Sequence, residues 1–297
     1  MFLFGYSNDI DAAEVKKSKD IIVKAISANP LRNVKFADVR FDSNNGSVIY
    51  YHDSIESFSN SVDNHLPDKS LMFPSLANET DAYLVLDKVL NNPELPICGS
   101  SSLFLMKHYG YGPPGFVNYD KANKDNFSPY FILSDEPGMG CMSPDAWFNF
   151  GLTVIIGKEN DASFPQVTEK LMGAPYADNL LFSESLTFIE SFTNLQLLNK
   201  LIVPTYTDQF VNVTLAIATE EFGLGLMKLV ELRIQNTVTL NNTTLRYEPE
   251  NLFPNSDLIW ETIQLESGTT NKIFVTYTTD YIGDVLIRMF IDRPIPH

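Results

Sequence analysis

The stretch DEPGMGCMSPDAW, Asp135 to Trp147, sets Cys141 directly after Gly140, with carboxylates before it and aromatics beyond. A nucleophile elbow needs Gly-x-nucleophile-x-Gly between a strand and a helix, because only small flanking residues permit the tight turn. YFILSD upstream is strand-like, and Ser143-Pro144 suits a helix start downstream. The second glycine is missing, however: Met142-Ser143 stands in its place, and Pro137 interrupts the passage from strand to turn. A reactive thiolate also needs a histidine beside it. The internal histidines are His52, His65 and His108, and no spacing selects one of them. Cys141 and His108 are the candidates for nucleophilic chemistry. With the pattern incomplete, the expectation is a structural cysteine in a loop.

Other chemistry is sparser still. No HExxH, histidine cluster or CxxC occurs, so no metal site is expected. DSNNGS, from Asp42, matches a calcium loop only at its start: the sixth position holds Ser47 where glycine belongs, and the twelfth holds Asp53 where glutamate belongs. Asn-Gly between apolar runs is better read as a hairpin turn. NYDKANKDN offers Asn118, Asp120, Asn123 and Asp125 on what reads as a solvated loop. Glu220 and Glu221 follow a strand-like run, but neighbours on a strand face opposite ways, so a surface turn fits them better. FGLGLM lacks the third glycine of a dinucleotide site, and no phosphate-binding loop or other cofactor motif is present. HYGYGPPGF sets Tyr109, Tyr111 and Phe116 among glycines and prolines; such a loop displays aromatics to a partner or buries them as a plug.

The elements that would position these residues change character along the chain. NDIDAAEVKKSKDIIVKAISANP predicts a helix from about Asp9 to Ala28, capped by Asn8 or Asp9 and closed before Pro30. VKFADVRF and VIYY predict paired strands. DSIESFSNSVDNHL and ETDAYLVLDKVLNN predict helices, the second with Leu84, Val85 and Val89 as its apolar stripe. YFILSD and LTVIIG predict short strands, and SESLTFIESFTNLQLLNKLIVP predicts a helix ending before Pro204. Beyond Pro204 the period falls to two. FVNVTLAIA, VELRIQNTVTL, NKIFVTYTT and DVLIRMFID alternate apolar and polar residues with turn chemistry between them. In DVLIRMFID, Val285, Ile287, Met289 and Ile291 share one face. Leu286 and Phe290 lie on the other beside Arg288, and that face is too apolar to be left in water. The expected architecture is α+β: a mixed α/β part, residues 1–204, followed by an antiparallel β sandwich or jelly-roll-like part, residues 205–297.

Bulk properties exclude several roles. The net charge of −16 and pI of about 4.6 oppose a phosphate backbone, and Lys16, Lys17 and Lys19 form the one basic cluster. Nucleic acid is therefore not an expected partner. No apolar run approaches the ~20 residues of a membrane span. The start, MFLFGYSNDID, has no basic region and does not read as a signal peptide. A cytoplasmic or virion-associated location follows as the expectation. Sequons at Asn45, Asn78, Asn126, Asn212, Asn241 and Asn242 are too easily matched in so Asn-, Ser- and Thr-rich a chain to argue otherwise. With no complete catalytic motif, the expected function is structural: a subunit of a large complex such as a virion or phage particle, with protein subunits as homo- or hetero-oligomeric partners. Contacts would run through Tyr109, Tyr111, Phe116, Leu286 and Phe290. The alternatives are a hydrolase with a cysteine- or carboxylate-based site and a carbohydrate- or protein-binding module. No cofactor or metal is expected.

Overall fold

The computed structural model describes residues 1–28, 35–43, 46–72, 80–95, 97–107, 121, 124–125, 127–134, 151–156, 161–172, 180–188, 194–219, 227–248, 258–279 and 283–292. The chain divides into two compact units, Met1–Gly173 and Ala174–His297.

The first unit is built on a mostly parallel sheet. Strands β1 (Phe2–Ser7), β2 (Phe36–Phe41), β3 (Ile49–His52), β4 (Ser101–Met106), β5 (Ser128–Leu133) and β6 (Leu152–Ile155) take the order β3-β2-β1-β4-β5-β6. All neighbours are parallel except β3, which returns antiparallel to β2. Helices are α1 (Ala12–Ala28), α2 (Ile55–Asn64), α3 (Ala82–Leu90) and α4 (Phe164–Met172). Buried strands of such a sheet read as apolar runs rather than alternations. FLFGYS and SSLFLM are of this kind, and all their residues are buried.

Alternation still decides which layer each side chain joins. In β2, Ala37, Val39 and Phe41 join a core with Leu3, Phe104, Phe131 and the buried stripe of α3. That stripe is Ala82, Tyr83, Val85, Leu86, Val89 and Leu90, and Leu84, expected within it, is exposed. Phe36 faces the other way and meets Phe58 of α2, as Phe4 does, with ring centroids 5.8 and 6.4 Å away. Gly5 permits close packing in the first layer: a Cβ there would lie 2.5 Å from the Phe104 ring.

The second unit is an antiparallel sandwich. Its strands are β7 (Leu180–Phe188), β8 (Asn194–Ile202), β9 (Phe210–Thr219), β10 (Met227–Asn236), β11 (Asn242–Tyr247), β12 (Ile259–Glu266), β13 (Thr270–Thr279) and β14 (Gly283–Ile291). They form two four-stranded sheets, β11-β10-β13-β8 and β12-β9-β14-β7. One core lies between them, with Leu232, Ile234, Ile273, Val275 and Tyr277 from the first sheet. Val213, Leu215, Val285, Ile287, Met289 and Ile291 come from the second.

Two sequence expectations fail here for identifiable reasons. The helix expected over SESLTFIESFTNLQLLNKLIVP is replaced by β7 and β8. Leu198 and Leu201, three apart as on a helix face, both enter the sandwich core. They do so because the β8–β13 register slips between Lys272 and Phe274, so that an extra β8 residue restores the inward direction. The unit division accordingly falls after Gly173, whereas the sequence suggested Pro204. The alternation read through Leu240 also stops at Asn236. Val238 is 86% exposed, and Asn236 Oδ1 accepts from the backbone N–H groups of Val238 and Thr239 to close the turn.

Candidate functional site

In the parallel sheet, β1 leads through α1 to β2 on one side, while β4 lies on the other side of β1. The strand order therefore reverses between β1 and β4. Open α/β sheets bind ligands outside the carboxyl ends of their strands at such a reversal. The residues found there are polar. Ser7 ends β1, Asn8 follows it, Asp42 follows β2, and Thr80 and Asp81 precede α3.

These side chains form one network. Ser7 Oγ donates to Asp42 Oδ2 at 2.6 Å, and Thr80 Oγ1 donates to Asp42 Oδ1 at 2.7 Å. The Asp81 N–H also donates to Asp42 Oδ1, at 3.0 Å. In return the Asp42 N–H donates to Asp81 Oδ1 at 2.6 Å, and Ser47 Oγ donates to Asp81 Oδ2 at 2.5 Å. Asn8 ties in a further loop: its amide donates to the Asp68 carbonyl and accepts from the Asp68 N–H, both at 2.7 Å. Asp42 holds a left-handed backbone, φ 58°, a conformation aspartate tolerates better than most residues. Burial pushes its carboxyl up to about 6 against the bonds from Ser7, Thr80 and the Asp81 N–H, and the Asp81 charge adds to the rise. Asp9, whose N–H donates to Ser7 Oγ at 3.2 Å, and Asp81 are each half-buried beside the buried Ser7, Asn8 and Asp42.

A second polar constellation lies at the sheet edge. Asp38, fully buried on the α2-facing side of β2, lies 2.6 Å through Oδ1 from His52 Nε2 at the end of β3. His52 Nδ1 lies 3.0 Å from Ser57 Oγ in the first turn of α2. Ser54 caps that helix, accepting from the Ser57 N–H at 3.1 Å. His65, at the far end of α2, stacks on Tyr50 at 4.1 Å, and its Nδ1 lies 3.2 Å from Ser61 Oγ. Burial raises the Asp38 pKa, while the nearby Ser61 hydroxyl and the His52 and His65 rings draw it down. A groove of about 530 Å³ opens here, lined by His52, Ser57, Asn60, Ser61, Asn64 and His65 among others.

Several residues singled out in the sequence, namely Cys141, His108, Tyr109, Tyr111, Phe116, Glu220, Glu221, Asn118, Asp120 and Asn123, lie outside the described residues. Leu286 and Phe290 share the outer face of β14, as the alternation required, but both are buried within the chain, 7% and 1% exposed. Phe290 stacks near Trp260 with centroids 6.5 Å apart, and Arg288, two residues before it on the same face, is also buried, bonded to Ser183. Lys19 is buried and paired with Asp20 and Asp63, and Lys17 pairs with Glu14, so two of the three lysines of the cluster are engaged by acids of the chain. Among the described residues no group of three or more His, Cys, Asp or Glu is placed to hold a metal ion. None of their helices is long and apolar enough to cross a membrane.

No spacing in the sequence marks Ser7, Asn8, Thr80, Asp81, Asp38 and Ser57 as a group. The signal available is positional: FLFGYSND and FADVRFDS each end an apolar strand on small polar residues.

Fold and site together define an α/β unit with a polar network at its sheet reversal, followed by a β-sandwich unit. No family model matches the sequence, and no curated protein matches it. Among solved structures, the chain is similar to a von Willebrand factor type A protein from Catenulispora acidiphila, with 9% identity and a TM-score of 0.38. That match covers 99% of this chain and 58% of the other, so the chain spans little more than half of its length. It is also similar to proximal thread matrix protein 1 of the mussel byssus, with 12% identity, a TM-score of 0.35 and coverage of 58% and 46%. One structure of that mussel protein has zinc in its MIDAS motif. A third, TmCBM61 in complex with beta-1,4-galactotriose, matches at 13% identity and a TM-score of 0.23, over 37% of this chain and 68% of that one. Likeness of this extent says nothing of what the chain binds.

Proposed function

We propose that the chain is an interaction protein whose α/β unit docks a protein partner at the carboxyl end of its parallel sheet. The observation that supports this reading is the Ser7–Asp42–Thr80–Asp81 network assembled where the strand order reverses. The network braces two loops and a helix start against each other, so the surface around it needs little ordering on binding. The half-buried Asp9 and Asp81 make this end of the sheet acidic, and the whole chain carries −16. The complementary partner presents a basic patch, which steers encounter and fixes register. A structural or assembly role in a large complex, a virion included, is one use of such a module. A carbohydrate-binding role is less favoured, because an acidic surface discriminates for cations rather than for neutral hydroxyls.

Fluorescence polarisation against a panel of lysine- and arginine-rich peptides tests the reading. Wild type is expected to bind a subset, with affinity falling at high salt, and Asp9→Asn to weaken that binding about tenfold with an unchanged melt. Binding that is indifferent to Asp9→Asn, or confined to neutral glycans on an array, overturns it.

A further inference from the structure

We propose that Asp38, His52 and Ser57 form a second, independent site: a serine nucleophile that hydrolyses carboxylic esters lacking negative charge. The geometry is that of a relay. The buried Asp38 carboxylate at 2.6 Å holds the proton of His52 on Nε2, and the Nδ1 lone pair is thereby left facing Ser57 Oγ at 3.0 Å. The His52 ring makes a T-shaped pair with Phe58, centroids 6.2 Å apart, which restrains its tilt. Asp38 has no solvent exposure, while Ser57 is exposed beside the groove. The acid is thus fixed in the sheet and the hydroxyl is offered to a substrate.

The surroundings suit acyl transfer. Ser57 lies in the first turn of a ten-residue helix whose cap already satisfies the Ser57 N–H through Ser54. The N–H groups of Ile55 and Glu56, the first residues of that helix, have no carbonyl within it to bond. The helix N-terminus thus places positive dipole ends in the same turn as the nucleophile, favouring negative charge that develops there. Asn60 and Asn64 follow Ser57 at three and seven residues, on the same helix face, and line the groove with amide donors and acceptors. The lining includes Glu56 and no lysine or arginine, so a negatively charged substrate is disfavoured.

In the reaction, Ser57 Oγ attacks the ester carbonyl carbon as its proton passes to His52 Nδ1. The tetrahedral adduct collapses, the C–O bond to the alcohol breaks, and the alkoxide leaves with the proton held by His52. Water then attacks the acyl-serine, giving its proton to His52. The carboxylic acid is released, and Ser57 regains its proton. One ester and one water yield one acid and one alcohol.

The full chain should be incubated with a fluorophosphonate probe and the adduct located by peptide mass mapping, with p-nitrophenyl acetate turnover measured in parallel. The expected result is an adduct on Ser57, lost in Ser57→Ala, with turnover reduced about 100-fold or more at an unchanged circular dichroism spectrum and melt. His52→Gln should abolish labelling while Ser57 remains present. No adduct at Ser57, or turnover that survives Ser57→Ala, overturns the proposal. Neither result touches the peptide-binding test at Asp9, which concerns the other end of the sheet.

Discussion

Asp42 shows how one side chain can carry both packing and a pH dependence. It is buried, accepts three hydrogen bonds and joins β2 to β1 and to the start of α3. Its folded pKa, about 6, lies above the ordinary aspartate value of 3.8. The folded state therefore holds this proton more tightly than the unfolded chain. The stability it contributes is fully present below about pH 4 and is lost as pH rises through 6; a rise of this size corresponds to about 3 kcal/mol. Chemical denaturation at pH 4, 5, 6 and 7 should show wild type losing stability over this window relative to Asp42→Asn, which cannot titrate there. A difference that stays flat from pH 4 to 7 shows that the bonds from Ser7 and Thr80 outweigh burial and keep Asp42 ionised throughout.

In the sandwich, the pairing register determines what each strand truncation removes. Ile287 on β14 lies opposite Ile217 on β9 and Glu184 on β7, with its side chain in the inter-sheet core. Truncation there leaves a cavity between two sheets that cannot close, so Ile287→Ala should cost about 2–5 kcal/mol in a urea melt. Arg233 on β10 points outward, yet it is not idle: its guanidinium sits 4.4 Å over the Phe274 ring of the neighbouring strand. Arg233→Ala should cost about 0.5–1 kcal/mol, the range of an exposed cation–π pair. If the two costs come out in the reverse order, the faces of β10 and β14 are assigned the wrong way round.

At the scale of the molecule, each unit contains a core formed from its own residues. β7 and β8 are edge strands, one in each sheet of the sandwich, pairing with β14 and β13. A fragment of residues 174–297 should fold with a strand-rich circular dichroism spectrum and a single cooperative melt. A fragment of residues 205–297 lacks these two edge strands, strips Phe182, Leu186, Leu198 and Leu201 from the core, and exposes β13 and β14 for pairing. It should be insoluble or unfolded. Equal behaviour of the two fragments would place β7 and β8 outside the folding unit.

Side-chain spacing alone specifies the elements whose periodicity has one interpretation. The α1 pattern with its acidic start, the two-residue alternation of β9, β10, β13 and β14, and the sharing of a face by Val285, Ile287, Met289 and Ile291 all follow from side-chain spacing along one segment. From these came the α+β class and the order of its parts. Tertiary structure alone decided β8, because Leu198 and Leu201 are three apart and only the bulge opposite Lys272 and Phe274 turns that spacing into a strand. It also decided the sites. Asp38, His52 and Ser57 fall on two strands and a helix, and Ser7, Asp42 and Thr80 come from segments up to 73 residues apart in the chain (Thr80 less Ser7). Spacing within a segment cannot encode such a meeting. It is fixed by the parallel pairing of β1 with β2 and the antiparallel return of β3, which align strand ends that the sequence leaves far apart.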